Sequence, residues 1–127
     1  KIRVAADTSL AVASPVDDAA VEAERIAAGW PRLGVEIELG ETIPGGTGLT
    51  GIAVSFTKGC YPGQELVERM DSRGADAPKS LRIIEVPAGT AVGEVVDDVE
   101  VTSVYGTTAL AYVKRGSDLG AAPDHTA

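Results

Sequence analysis

Four β-strand candidates follow one another between residues 81 and 113, and this run limits the possible folds more than any other feature. Leu81–Val86, Ala91–Val96, Val99–Val104 and Thr107–Val113 are rich in aliphatic and β-branched residues. Turn signals at Asp97-Asp98 and Tyr105-Gly106 separate them closely. Repeated short strands with tight turns predict a small antiparallel barrel or sheet. Fifteen glycines and seven prolines also favour a β-rich architecture over a helical bundle. With one Trp, one Phe and three Tyr, the core must be built mainly from Val, Ile, Leu and Ala.

The preceding half reads differently. Residues 2–5 and 9–13 (IRVA, SLAVA) read as short strands. Ser14-Pro15-Val16-Asp17 predicts a helix start, with Ser14 as N-cap and Pro15 at the first helical position. The helix should run to about Ala28 and stop at Gly29. Ala19, Ala23, Ile26 and Trp30 recur at helical spacing as its core face, and Trp30-Pro31 reads as a core anchor. One short strand is expected at Val35–Leu39. Alternation of Ile52, Val54 and Phe56 predicts another over Gly51–Thr57. The Lys58–Gly63 loop follows, and Pro62 fits the first position of a helix bearing Leu66, Val67 and Met70 on one face. Asp71-Ser72-Arg73-Gly74 should end that helix.

These elements make an α+β chain: a helix and a strand–loop–helix segment, then a small C-terminal antiparallel β-barrel. The expected divisions are 1–74 for the α+β region, 75–118 for the barrel strands and 119–127 for a disordered tail. A length of 127 residues suits one domain or two very small ones. The chain opens at Lys1 rather than Met, as a piece of a longer protein would. Its net charge of −8 repels phosphate backbones and argues against a direct nucleic-acid partner, although a local basic spot could still bind a small anion. No run approaches the ~18 apolar residues of a membrane span. A single cysteine rules out an internal disulfide and suits a reducing, cytoplasmic compartment.

That cysteine lies in Lys58-Gly59-Cys60-Tyr61-Pro62-Gly63-Gln64-Glu65. A thiolate at Cys60 would be favoured by Lys58 and by the peptide dipoles of the following helix. The alternative is a buried, inert thiol. The lone histidine, His125, falls in the tail, so a Cys-His catalytic pair is not expected. One cysteine cannot hold a metal without ligands from another molecule. Gln64 and Glu65 could cap the helix, or hydrogen-bond a polar heterocycle on which Tyr61 stacks. Gly46-Thr-Gly48-Leu-Thr-Gly51 spells a dinucleotide-binding pattern, but no strand precedes it and no helix is expected after it, so turns explain it better.

The stretch Thr57–Glu65 resembles the signature of the YgfZ-type folate-binding proteins, within the glycine cleavage T-protein (aminomethyltransferase) superfamily. Arg25 to Glu36 resembles that family's R-x-x-x-G-x-P-x-x-G-x-E segment, and Thr42-Ile43-Pro44 its Ile-Pro turn. Val101–Val104 and Ala109–Val113 resemble two strands of its C-terminal barrel. The resemblance covers about residues 15 to 116. It implies a tetrahydrofolate or derivative as cofactor, Cys60 and Lys58 as functional residues, and Tyr61, Gly63, Gln64 and Glu65 at the folate. It further implies an accessory role for iron–sulfur client proteins, including tRNA-modifying ones, and a missing N-terminal segment of the same protein. As an enzyme, the chain would be a tetrahydrofolate-dependent aminomethyl or methyl transferase; as neither, a scaffold fragment. The chain departs from the pattern at Ala27 and Gly46, where relatives often carry glutamates.

Overall fold

A computed structural model describes residues 17–72 and 77–125. The strand candidates at 2–5 and 9–13, the Ser14-Pro15 helix start and most of the Gly74–Pro78 link lie outside the described residues. Among the described residues the architecture is α+β, with three α-helices and a four-stranded antiparallel sheet.

Helix α1 spans Asp18–Ala27. Asp17 is its N-cap: the backbone there is extended, and the side chain accepts a hydrogen bond from the Ala19 amide at 3.4 Å. Gly29 ends the helix as expected, at φ +66. Any side chain there would collide with Pro123, which lies 2.7 Å from the position of a Cβ. The expected core face narrows to Ile26, which is fully buried, while Ala19 is exposed. Trp30 is not a core anchor. It is 46% exposed and meets His125 edge to face, whereas its neighbour Pro31 is buried.

The strands are β1 (Lys79–Glu85), β2 (Val95–Val96), β3 (Val99–Tyr105) and β4 (Thr108–Lys114). Of the expected strand at Ala91–Val96, only the last two residues form a regular ladder, while Gly93 and Glu94 each exchange one backbone hydrogen bond with Val101. The sheet order is β1-β4-β3-β2, so β1 and β2 are edges and the described strands form an open sheet rather than a closed barrel. Asp97 and Asp98 both have positive φ, 48° and 63°, as the two-residue hairpin turn between β2 and β3 requires.

Each face of the sheet has its own apolar cluster. Ile84, Val101, Ala109, Ala111 and Val113 pack on one side. Leu81 and Leu110 lie on the other, beneath Ile26 of α1. Alternation along β4 supplies both sets, as a strand buried on two faces must.

Three further expectations are corrected. Residues 35–39 form no regular strand: a compact loop turns back on itself, with a single bridge between Leu33 and Ile37 and three successive amides, Val35 to Ile37, directed at the Arg32 carbonyl. Residues 51–57 form no strand. Thr50–Ala53 is a short helix, α2, and the remainder is irregular. Ile52 and Phe56 also fit helical i, i+4 spacing, and no sheet edge lies alongside to reward an extended chain. The end of the chain is not loose through residue 125. Ala121 pairs antiparallel with Ile83 of β1 (N···O 2.8 and 2.9 Å), and Pro123 covers Gly29 and Gly48.

Candidate functional site

The motif loop lies between α2 and helix α3, which spans Gln64–Ser72. The helix begins at Gln64, so Pro62 precedes its first turn instead of occupying it. Gly63, at φ +80, makes the bend that glycine permits. Its carbonyl accepts the Leu66 and Val67 amides at 3.2 and 3.4 Å. Gln64 Oε1 reaches back to the Tyr61 amide at 3.4 Å, and its Nε2 donates to Glu68 at 2.6 Å. Gln64 therefore braces the loop against the helix. Val67 is buried and anchors α3, whereas Leu66 is 47% exposed. Met70 lies against Gly45 of a 3₁₀ turn at Pro44–Gly46.

Cys60 is a free, exposed thiol, so the buried reading does not hold. Lys58 is also exposed, and its Nζ stands over the Tyr61 ring, 5.3 Å from the centroid. The Tyr61 hydroxyl is shut off from solvent and has no hydrogen-bond partner among the described residues. Glu65 is exposed. No group of acidic, histidine or cysteine side chains suited to a metal occurs among the described residues. Within the glycine pattern at 46–51, Gly46 serves close packing, since a Cβ there would lie 2.6 Å from the Lys79 carbonyl oxygen, whereas Gly51 faces open space. A glutamate therefore does not fit this position of the chain. Ala27, the other departure, is exposed.

The second site-like feature is a polar brace between α1, the 32–37 loop and β3. Arg25 forms a bidentate pair with Glu22, Nε–Oε2 2.9 Å and Nη2–Oε1 2.7 Å. Its remaining donors reach Trp30 O at 2.6 Å, Glu36 Oε2 at 3.2 Å and Ser103 Oγ at 2.7 Å. The fully buried Glu36 carboxylate also accepts from the Arg32 amide (2.9 Å) and Ser103 Oγ (2.5 Å), and it shares the Thr102 hydroxyl proton with the Leu110 carbonyl, each 2.9 Å away. Consecutive residues of a regular strand point to opposite faces. Here the ladder is irregular between Val101 and Ser103, and the resulting bulge lets both hydroxyls reach one oxygen. The Arg25 guanidinium holds the Glu22 carboxyl below its ordinary range, and Glu22 in turn raises Arg25. Burial, with the Glu36 charge nearby, pushes the Tyr112 phenol up, and its hydroxyl donates to the Glu36 carbonyl at 2.9 Å. Fully enclosed among these partners, this carboxylate holds the fold together and is closed to a ligand. Motif spacing marked Arg25 and Glu36, but nothing local in the sequence pointed to Thr102, Ser103 or Tyr112 as their partners.

Two recesses flank the 42–48 segment. One, of about 260 Å³, is lined by Thr42, Ile43, Gly46, Pro78, Lys79 and Tyr112. The other, of about 290 Å³, opens beside β1 under the end of the chain.

Comparison with known proteins yields partial matches. Over 76 residues, 59% of this chain, the sequence is 41% identical to the tRNA-modifying protein YgfZ of Serratia proteamaculans. Over 72 residues it is 43% identical to an uncharacterised protein of Haemophilus influenzae. These alignments cover 22% and 25% of the two relatives, so the chain matches about a quarter of their length. No family profile matches the chain, and no solved structure matches it.

Proposed function

We propose that this chain is part of a YgfZ-like, folate-binding accessory protein linked to tRNA modification, in which Cys60 is the working thiol. The observation that carries this reading is the exposure of Cys60 on a loop whose sequence bears the family signature. The 41% identity to a tRNA-modifying YgfZ supports the family assignment.

The residues present fit a reduced folate in part. The orphaned, buried Tyr61 hydroxyl calls for a partner that the described protein does not supply. Tyr61, Gln64 and Glu65 would hold the polar ring, with Gly63 shaping the loop around it. Beyond its bonds to Tyr61 and Glu68, the Gln64 amide keeps one N–H and one lone pair for a ligand, and Glu65 can accept from an amidine-like edge. The carboxylates that relatives place at the positions of Ala27 and Gly46 are missing, which predicts weaker pterin recognition. When bound, a reduced folate supplies one-carbon chemistry. The chain's own contribution is to present the Cys60 sulfur to solvent and a client, with Lys58 two residues away. The client would be an iron–sulfur protein, and a further segment of the same protein would complete the folate site.

The test is a calorimetric titration with tetrahydrofolate, paired with complementation of iron–sulfur-dependent tRNA modification. Cys60→Ala should leave folding and folate affinity intact and abolish complementation. Absence of saturable folate binding, together with full complementation by Cys60→Ala, would overturn the reading.

A further inference from the structure

We infer that the recess beside β1 is a binding site for a small oxyanion, a carboxylate or a phosphate, held by Arg82. The recess exists because of how the end of the chain pairs. Ala121 bonds Ile83 through both backbone groups on the outer edge of β1. In an antiparallel ladder the groups facing one edge recur every second residue, so the Leu81 N–H and C=O face the same side. The register sets Pro123 opposite Leu81, and proline has no N–H to donate. Pairing stops there and the edge opens into a cleft of about 290 Å³, walled by Ala122 and Pro123 and by Gly45 and Gly48.

Two of the chain's eleven basic residues, Arg82 and Arg115, line this cleft, and no acidic side chain does. Arg115 already has an interaction of its own, so the anion is assigned to Arg82. Arg82 pairs across to Ala111, which puts it on the sheet face that carries Ile84, Ala109 and Val113. It is half-buried there, and among the described residues its one hydrogen bond runs from Nε to Ser80 Oγ at 3.4 Å. The simple alternative is an arginine laying its stem on apolar surface with its head in water. The cleft argues for more. Its guanidinium fork matches an oxyanion, the Leu81 N–H adds a fixed donor, and glycine walls admit close approach. The volume lies at the small end of ligand pockets and is ample for an inorganic oxyanion or a short dicarboxylate.

The test is titration of the full ¹⁵N-labelled chain at low ionic strength with inorganic phosphate and, separately, with glutarate. Saturable shifts of the Arg82 Nε–H and Leu81 amide resonances are expected with one or both, and the tighter of the two identifies the source class. Arg82→Gln should weaken binding at least about tenfold, the loss of one charge-assisted fork. Arg82→Lys should fall between. Ala122 is exposed, so Ala122→Glu should fold normally and abolish binding by placing a like charge in the cleft. If Arg82→Gln unfolds, Ala122→Glu decides. No saturable shift with either anion, or wild-type affinity in Ala122→Glu, would overturn the inference.

Discussion

Arg25 and Glu36 meet at 3.2 Å, eleven residues apart in sequence, with the carboxylate fully buried and every guanidinium donor engaged. They clamp α1 and the 32–37 loop onto β3 through Ser103, which bonds both. The buried pair holds because each remaining lone pair and proton is also matched.

Removing one side of that pair should therefore be costly. Glu36→Ala leaves the Arg32 amide, the Ser103 hydroxyl and part of the Arg25 guanidinium without their acceptor, while the Thr102 hydroxyl keeps the Leu110 carbonyl. The expected loss is about 3 kcal/mol, read as a lower urea midpoint.

Acid should loosen the same region. Glu22 titrates lower in the folded state than in the unfolded chain, so over the carboxylate range the unfolded state binds more protons. Its contribution is present above the unfolded value and is lost as pH falls through the folded one. Thermal midpoints of Glu22→Gln should vary less steeply with pH than the parent between about pH 5 and pH 2. Tyr112 has the opposite sense: its raised value means a contribution present below the unfolded phenol range and lost at alkaline pH, and Tyr112→Phe should flatten that limb.

The β2–β3 turn is improvable. Asp97 and Asp98 hold left-handed backbone conformations that Asn-Gly adopts at lower cost. The double change Asp97→Asn, Asp98→Gly should raise stability by roughly 0.5–1 kcal/mol and lift the melting temperature. A lower melting temperature would contradict the turn geometry.

Introducing at Gly46 the glutamate that the family resemblance implies should fail. Gly46→Glu drives a Cβ into the Lys79 carbonyl, and should destabilise by about 1–3 kcal/mol without improving folate affinity. Tighter folate binding by this variant would show that the turn can move.

Cys60 should react with a disulfide reagent such as Ellman's in the folded protein at a rate within about tenfold of that in denaturant, because the thiol is exposed. Strong protection on folding would contradict the exposed placement of the sulfur.

Much of the fold was legible because local chemistry dictates it. Gly29 ends α1, Asp97-Asp98 turns β2 into β3, and β1, β3 and β4 lie within a residue or two of where alternation and turn signals put them. The segment 51–57 misled because alternation over so few residues fits helix and strand alike. The Trp30 expectation failed because a helical stripe does not reveal which of its members the sheet covers. At the motif, sequence pointed to Cys60, Lys58 and Gln64 together. It could not show that Lys58 would stand over the Tyr61 ring, or that Gln64 would tie loop to helix.

By itself, the order of residues determined the α+β class, the helix stop, the hairpin and the presence of a lone thiol on a glycine-bounded loop. These depend on neighbours a few positions apart. The tertiary structure alone decided that the sheet stays open, that Glu36 is spent on Arg25, Thr102 and Ser103, and that Ala121 pairs with Ile83 while Pro123 opens a cleft. Those outcomes join residues separated by eleven to several tens of positions. Only the folded backbone sets which hydrogen-bonding groups find partners there.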